Sequence, residues 1–357
     1  MTATVTRAFW AVALGGLLLS GCGKPEWVEL VAGGTRTCAR ADDGQLRCWG
    51  GKLVQGGSVP QLQGSNEPVA PPKLEGATSL CAGQSFVCAR VVGGTVKCLA
   101  AAPESTWGEV GGLNDVSMLA CADGGGCAQT AGGEVACWSW TDTGAGSVVT
   151  VKGLADVSGL AVGGGHRCAV RADRTVVCWG RNGAGQLGVP PEDVAQSDRP
   201  VELRGVTDAV SVAAGRHFTC AASADGKVRC AGDNLVGQLG YPGPSTHAAV
   251  EVRGVEGAVE VTAGEYHACA RLSSGEVRCW GRNLNGQLGD RTGEDRKESV
   301  LVTGLVGATR VAAGTDHTCA MGVPGELYCW GANAAGQLGD GTHEDRQEKT
   351  KVKGFGG

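Results

Sequence analysis

Large side chains are scarce in this 357-residue chain: only 4% of it is aromatic, as nine Trp, four Phe and three Tyr. That scarcity argues against a single bulky core of the kind a chain this long would otherwise need. Blocks of Lys or Arg are missing too, and the net charge is −5, which speaks against a nucleic-acid footprint. Beyond the first 21 residues no apolar run is long enough to span a bilayer. Nor is there a Ser-His-Asp order, a phosphate-cradling Gly loop with Lys, or an isolated carboxylate pair. On these absences the chain reads as a non-enzyme without a cofactor.

Glycine and cysteine are plentiful, with 62 and 17 residues. The stretch VTAGEYHACARLSSGEVRCWGRNLNGQLGD (261–290) shows how they are used. Cys269 and Cys279 stand ten positions apart in two short, partly alternating runs, with a Trp-Gly pair and a Gly-Gln-Leu-Gly tail after them. The same spacing recurs at Cys38/Cys48, Cys88/Cys98, Cys127/Cys137, Cys168/Cys178, Cys220/Cys230 and Cys319/Cys329, giving seven units. A period of this length signals a solenoid, a propeller or an array. The runs are too short and too often broken by Gly for helices, so the units are strands.

The spacing also sets the hairpin register. If Cys269 opposes Cys279, the loop is Ser273-Ser274-Gly275, and a three-residue loop wants Gly last, where the chain turns left-handed. Gly44, Gly94, Gly133, Gly226 and Gly325 hold the same place, and only Ala172-Asp173-Arg174 departs. Opposed residues on antiparallel strands lie ~4.5–5.5 Å apart at Cα, within reach of a disulfide. The seven pairs are therefore expected to be hairpin disulfides. Zinc is disfavoured, because structural zinc sites gather closely spaced Cys pairs in fours.

The segments VAAGRHFTCA (212–221), AAGTDHTCA (312–320) and CWGANAAGQLGDGT (329–342) resemble the regulator of chromosome condensation repeat family. The likeness runs over 27–357, and it implies an all-β, seven-bladed β-propeller, in agreement with the count of units. Cysteine pairs are a departure from nuclear and cytosolic members and look like an adaptation to an oxidising compartment. Blades two and three are degenerate: Leu99-Ala100 replaces Trp-Gly in one, CWSWTDTG (137–144) stands in the other, and blades one to three lack the Gly-Gln-Leu-Gly tail. Cys81 and Cys121 fall at one strand position in these two blades, so an eighth, inter-blade disulfide is expected between them.

Residues 1–21 read as a lipoprotein signal peptide. Arg7 gives a positive start, residues 8–19 are apolar, and Leu19-Ser20-Gly21-Cys22 resembles a bacterial lipobox in which Cys22 is acylated. A plain secretory signal is the alternative. Residues 22–26 would form a lipid tether, which at about five residues reaches at most ~17 Å. Gly23, in place of an Asp, favours the outer membrane or cell surface.

Candidate sites are few. His166, His217, His267 and His317 recur just before the first cysteine of their hairpins, where the resemblance implies bonding between strands. Trp49, Trp138, Trp179, Trp280 and Trp330 read as packing between blades. The acidic tails GDRTGEDR (289–296) and GDGTHEDR (339–346) lack the carboxylate density of a calcium loop. Trp107 and Trp140 stand outside the repeat pattern, as partner-binding anchors or as cover for shortened blades. The leading reading is a surface-tethered, disulfide-stapled propeller that binds a protein or cell-wall partner in the envelope. The alternatives are guanine-nucleotide exchange, which export from the cytosol opposes, and an envelope enzyme using a propeller face.

Overall fold

A computed structural model describes residues 25–51, 65–100, 105–141, 144–322 and 325–355. The chain forms seven four-stranded antiparallel sheets, each made of four strands consecutive in sequence. They are the blades of an all-β propeller. In blade six the inner strand is Ala258–Ala263, the middle strands His267–Leu272 and Val277–Gly281, and the outer strand Arg296–Leu301.

The hairpin register follows the cysteines. Cys38 faces Cys48 in blade one, Cys88 faces Cys98 in blade two, and Cys127 faces Cys137 in blade three. In the remaining four blades Cys168 faces Cys178, Cys220 faces Cys230, Cys269 faces Cys279, and Cys319 faces Cys329. Each of the seven pairs is bonded through its sulfurs, with Cα atoms 4.0 to 4.1 Å apart. That is closer than the spacing expected for unbridged strands. The loops have three residues, as in blade six, where Leu272 N donates to Glu276 O and Gly275 N to Leu272 O. Gly275 sits at φ +82°, and the exception, Arg174, is held at φ +65°.

Alternation along the strands explains the scarcity of aromatics. The middle strands are buried on both faces, whereas outer strands such as Thr246–Glu251 are only half covered. Burial on both faces of thin sheets suits Ala, Val and Cys better than rings. Seven apolar clusters form, one at each junction of neighbouring blades, so the core is a set of layers between blades. The recurrent Trp residues sit in these layers as expected, with Trp280 and Trp330 fully buried.

The Gly-Gln-Leu-Gly tails join one blade to the next. Trp280 of blade six donates its indole N–H to Gln238 O of blade five's tail, and Trp330 of blade seven to Gln287 O of blade six's, at 3.0 and 2.9 Å. At Gly286 an added Cβ would meet Gln347 Cα of blade seven at 2.4 Å, so the tail closes on its neighbour only with Gly there. Blade seven's tail packs in the same way on Trp49 and Asn66 of blade one, and Phe355 lies edge-on to Trp27 at 4.6 Å. The two ends of the described chain meet there and close the ring.

Candidate functional site

The eighth cysteine pair also forms: the sulfurs of Cys81 and Cys121 are bonded, linking the inner strands Ala77–Ala82 and Val116–Ala122 of blades two and three. All sixteen cysteines of the repeat region are thus paired. The second cysteines of the regular hairpins, Cys178, Cys230, Cys279 and Cys329, are fully buried, and Cys137 of blade three is half-buried. These bridges staple the blades. Cys22 and the rest of the expected leader lie outside the described residues.

Trp107 and Trp140 are placed apart and committed to packing. Trp107 is half-buried, donates to Pro72 O at 2.8 Å and rests on the layer between blades one and two. Trp140 stacks on Phe86 with ring centroids 4.3 Å apart. Both cover the shortened blades.

Of the four histidines, three act alike. His166, His267 and His317 are fully buried, and each Nε2 is 2.8 to 2.9 Å from a Thr hydroxyl of the next blade, namely Thr219, Thr318 and Thr37. Burial pushes their pKa down to about 3, so they are neutral couplers between blades. They form no ring of ligands, because each is engaged with its own neighbour. His217 does not belong to the set. It stands one residue further from Cys220, and Phe218 fills the buried place, as Phe86 does in blade two.

The acidic tails are internal staples. Burial pushes the Asp290 carboxyl up, but bonds from Thr292, Arg296 and Asn283 outweigh it and hold the group below its ordinary range. Asp340 has the same partners in Thr342, Arg346 and Asn333. With an Arg 2.8 and 3.0 Å away, neither carboxylate is laid out for a cation.

Sequence reasoning missed the mouth of the central channel. Inner strands run towards it and deliver their Gly-rich turns around a cavity of about 440 Å³. Backbone bonds chain these turns: Gly164 N to Gly215 O, Arg216 N to Glu265 O, Glu265 N to Thr315 O and Thr315 N to Gly34 O. Glycine is required along this wall. A Cβ on Gly264 would lie 2.3 Å from Gly314 O, and the same holds at Gly33 and Gly163 against the next blade. Blade three alone carries Asp there, as Asp123, because its hairpin turn is shorter and Gly125 replaces the bulky residue that follows elsewhere.

Charge and aromatic surface collect on the blade-five-to-seven side of this mouth. Arg216 pairs with Glu265, and the Arg216 and Arg282 guanidiniums approach the Tyr266 ring at 5.7 and 5.5 Å from its centroid. Asp316 accepts from Gln287 Nε2 at 3.1 Å. Burial raises its carboxyl pKa, Arg282 counters, and Glu265 and Asp345 add to the rise. Partial desolvation likewise raises Asp123, with Glu265 adding to it. On the same face, at equivalent loop tips of blades five and six, Leu235 and Leu284 are 82% and 62% exposed. An available signal was the pair of turn positions after each strand-ending Gly, which vary while their frame repeats.

A ring of small, disulfide-bonded four-stranded blades with a polar mouth defines a propeller of the repeat class. Two sequence models, both described as the regulator of chromosome condensation (RCC1) repeat, match the chain. One matches residues 157–186, 209–238, 258–287 and 308–337, the other 175–222, 274–321 and 324–357. Together they span about half of its length, and the chain belongs to the regulator of chromosome condensation repeat family. Prp20p from Saccharomyces cerevisiae, whose structure was described with its binding properties to Gsp1p and histones, is similar: 19% identity, 92% of this chain and 87% of that one covered, TM-score 0.72. Human WBSCR16 matches at 19% identity over 85% of this chain and 89% of its own, with TM-score 0.72. Yeast RCC1 (Prp20) bound to Kap60 gives 19%, 99% and 91%, and 0.73. At such identity the likeness concerns the fold alone. No curated protein matches significantly.

Proposed function

We propose that this propeller is a non-enzymatic, protein-binding module of the cell envelope, held by a lipid on Cys22 and engaging its partner through the channel-mouth face of blades five to seven. The observation that carries the reading is the Arg216–Tyr266–Arg282 stack, with exposed Leu235 and Leu284 in loops on the same face. Arg and Tyr anchors ringed by apolar contacts are the usual composition of a binding hot spot. Trp107 and Trp140, already packed, are weaker candidates for that role.

Strand direction adds an orientation. The inner strand of blade one starts at Trp27 on the face away from the mouth and reaches the mouth cavity at Gly33. Seven residues of strand span about 20 Å, and the tether from Cys22 reaches at most ~17 Å. A lipid on Cys22 therefore keeps the opposite face at the membrane and turns the mouth outward.

Photo-crosslinkers test this in the intact envelope. Placed at Leu284, a crosslinker captures a discrete partner. Placed at Val306, exposed on the opposite face, it does not. Tyr266→Ala with Arg282→Ala should lower capture at Leu284 at least tenfold. Equal capture from both faces, or capture unaffected by the double change, overturns the reading.

A further inference from the structure

In six blades each hairpin disulfide stands alone, but in blade two it has company. The sulfurs of Cys81, Cys88 and Cys121 all lie within 4.8 Å of one another, the one group of three His, Cys, Asp or Glu ligand atoms so close among the described residues. Cys88 lies on a middle strand, where it opposes Cys98 on one side and Cys81 on the other. It is bonded to Cys98, and Cys81 is bonded to Cys121 of blade three. Directly opposed residues on antiparallel strands lie within the range that a disulfide can bridge. The chain therefore holds a second possible partner for Cys81 within its own blade.

Access distinguishes this pair from the others. Cys121 is half-buried and lines both the mouth cavity of about 440 Å³ and a deeper one of about 250 Å³, and Cys81 lines the deeper one. No other cysteine borders either cavity. Cys88 is fully buried and borders neither cavity.

We propose that Cys121 is a thiolation site for low-molecular-weight thiols entering the central channel, and that Cys88 then receives the displaced Cys81. A thiolate RS⁻ attacks Cys121 Sγ. The Cys81–Cys121 bond breaks, its electron pair stays on Cys81, and Cys121 carries the mixed disulfide. The Cys81 thiolate attacks Cys88 Sγ and forms the Cys81–Cys88 bond. The Cys88–Cys98 bond breaks, and Cys98 takes the proton given up by RSH. One thiol is incorporated with no net oxidation or reduction, and the order of attack follows ordinary exchange chemistry. The covalent link between blades two and three is replaced by one within blade two, so a small thiol can uncouple the two blades.

The test treats the folded mature protein with free cysteine, quenches with acid, alkylates free thiols with N-ethylmaleimide and maps the peptides without reduction. The expected early products are a cysteinylated Cys121, a Cys81–Cys88 linked peptide and an alkylated Cys98, formed at least tenfold faster than opening of any other bridge. Prior opening of a bridge in blades four to seven overturns the site. A cysteinylated Cys121 with Cys98 unalkylated and Cys81 alkylated overturns the transfer. Cys88→Ser with Cys98→Ser should leave Cys121 cysteinylated and Cys81 alkylatable. If that variant does not fold, the time course of the native protein decides alone.

Discussion

Blades four to seven and blades one to three solve the same problem with different chemistry. In the regular half, each tail of Gly, Gln, Leu and Gly closes on the next blade, and three histidine–threonine bonds cross the junctions at blades four/five, six/seven and seven/one. In the degenerate half the tails are gone, Leu99 stands where Trp280 stands in blade six, and Gly125 sits where blade six has His267. A covalent bridge between Cys81 and Cys121 takes their place. Sequence matching to the family begins only at residue 157, yet the backbone of blades one to three keeps the same four-stranded form. A repeat frame can thus lose its recognisable side chains and survive where cohesion between blades is supplied another way.

The largest effect should come from the side chain that defines the regular half. Trp280 is fully buried between blades five and six, and Trp280→Ala should cost about 3–5 kcal/mol. Leu99→Ala, at the same repeat position in blade two, removes less volume and should cost about 2–4 kcal/mol. Denaturant midpoints of the two variants check the order. Equal losses would mean that the degenerate junction relies on its own packing as heavily as the regular one does.

Next in size is the bridge. It closes a loop of about 41 residues, for which chain entropy gives roughly 3–4 kcal/mol. The double change Cys81→Ala and Cys121→Ala should lower stability by up to that amount and expose amides of blades two and three to hydrogen exchange before any others. Uniform loss of protection around the ring would show that the bridge is not local reinforcement.

Acid should strike the regular half through its histidines. His166, His267 and His317 have folded pKa values pushed down to about 3 from an ordinary 6.5. Above pH 6.5 they are neutral in both states and their contribution is intact. As pH falls from 6.5 towards 3 the unfolded chain takes up protons that the folded one refuses, so stability falls by up to ~1.4 kcal/mol per pH unit for each. His267→Phe borrows the residue native to blades two and five and should flatten the stability-versus-pH slope between pH 6 and 4 by about one proton. An unchanged slope would remove His267 from the acid response.

Much of this architecture was legible because the repeat imposes it locally. Ten-residue spacing, a three-residue loop and a terminal Gly fix which cysteines oppose, and the structure has all seven pairs in that register, from Cys38–Cys48 to Cys319–Cys329. Cys81 and Cys121 were legible once their places in the frame were counted. The channel mouth was not, since Arg216 of blade five meets Tyr266 and Arg282 of blade six only when the two blades pack together. His217 was misplaced because the motif Arg-His-Phe-Thr-Cys shifts histidine by one residue, and burial selected Phe218 instead. Trp107 and Trp140 stood out as unpatterned aromatics, but an irregular blade needs irregular cover.

The smallest effect tests the loop rule itself. Arg174 is the only hairpin-loop residue among the seven that takes the Gly place, and it is held at φ +65°, with its N–H donating to Arg171 O at 2.9 Å as Gly226 donates to Ser223 O in blade five. For a residue with a Cβ that left-handed conformation costs roughly 1–2 kcal/mol, and Gly returns part of the gain as unfolded-state entropy. Arg174→Gly should therefore stabilise by about 0.5–1 kcal/mol. The mirror change, Gly275→Arg in blade six, meets the same backbone angle and also sets a Cβ 2.9 Å from Gly307 Cα of the next blade. It should destabilise by more than 1 kcal/mol, on the order of the strain of a non-glycine residue forced into that region. Opposite signs at equivalent positions would establish that loop geometry, and no feature of blade four alone, sets the preference. A loss of stability in Arg174→Gly would mean that the arginine side chain holds contacts worth more than its backbone strain.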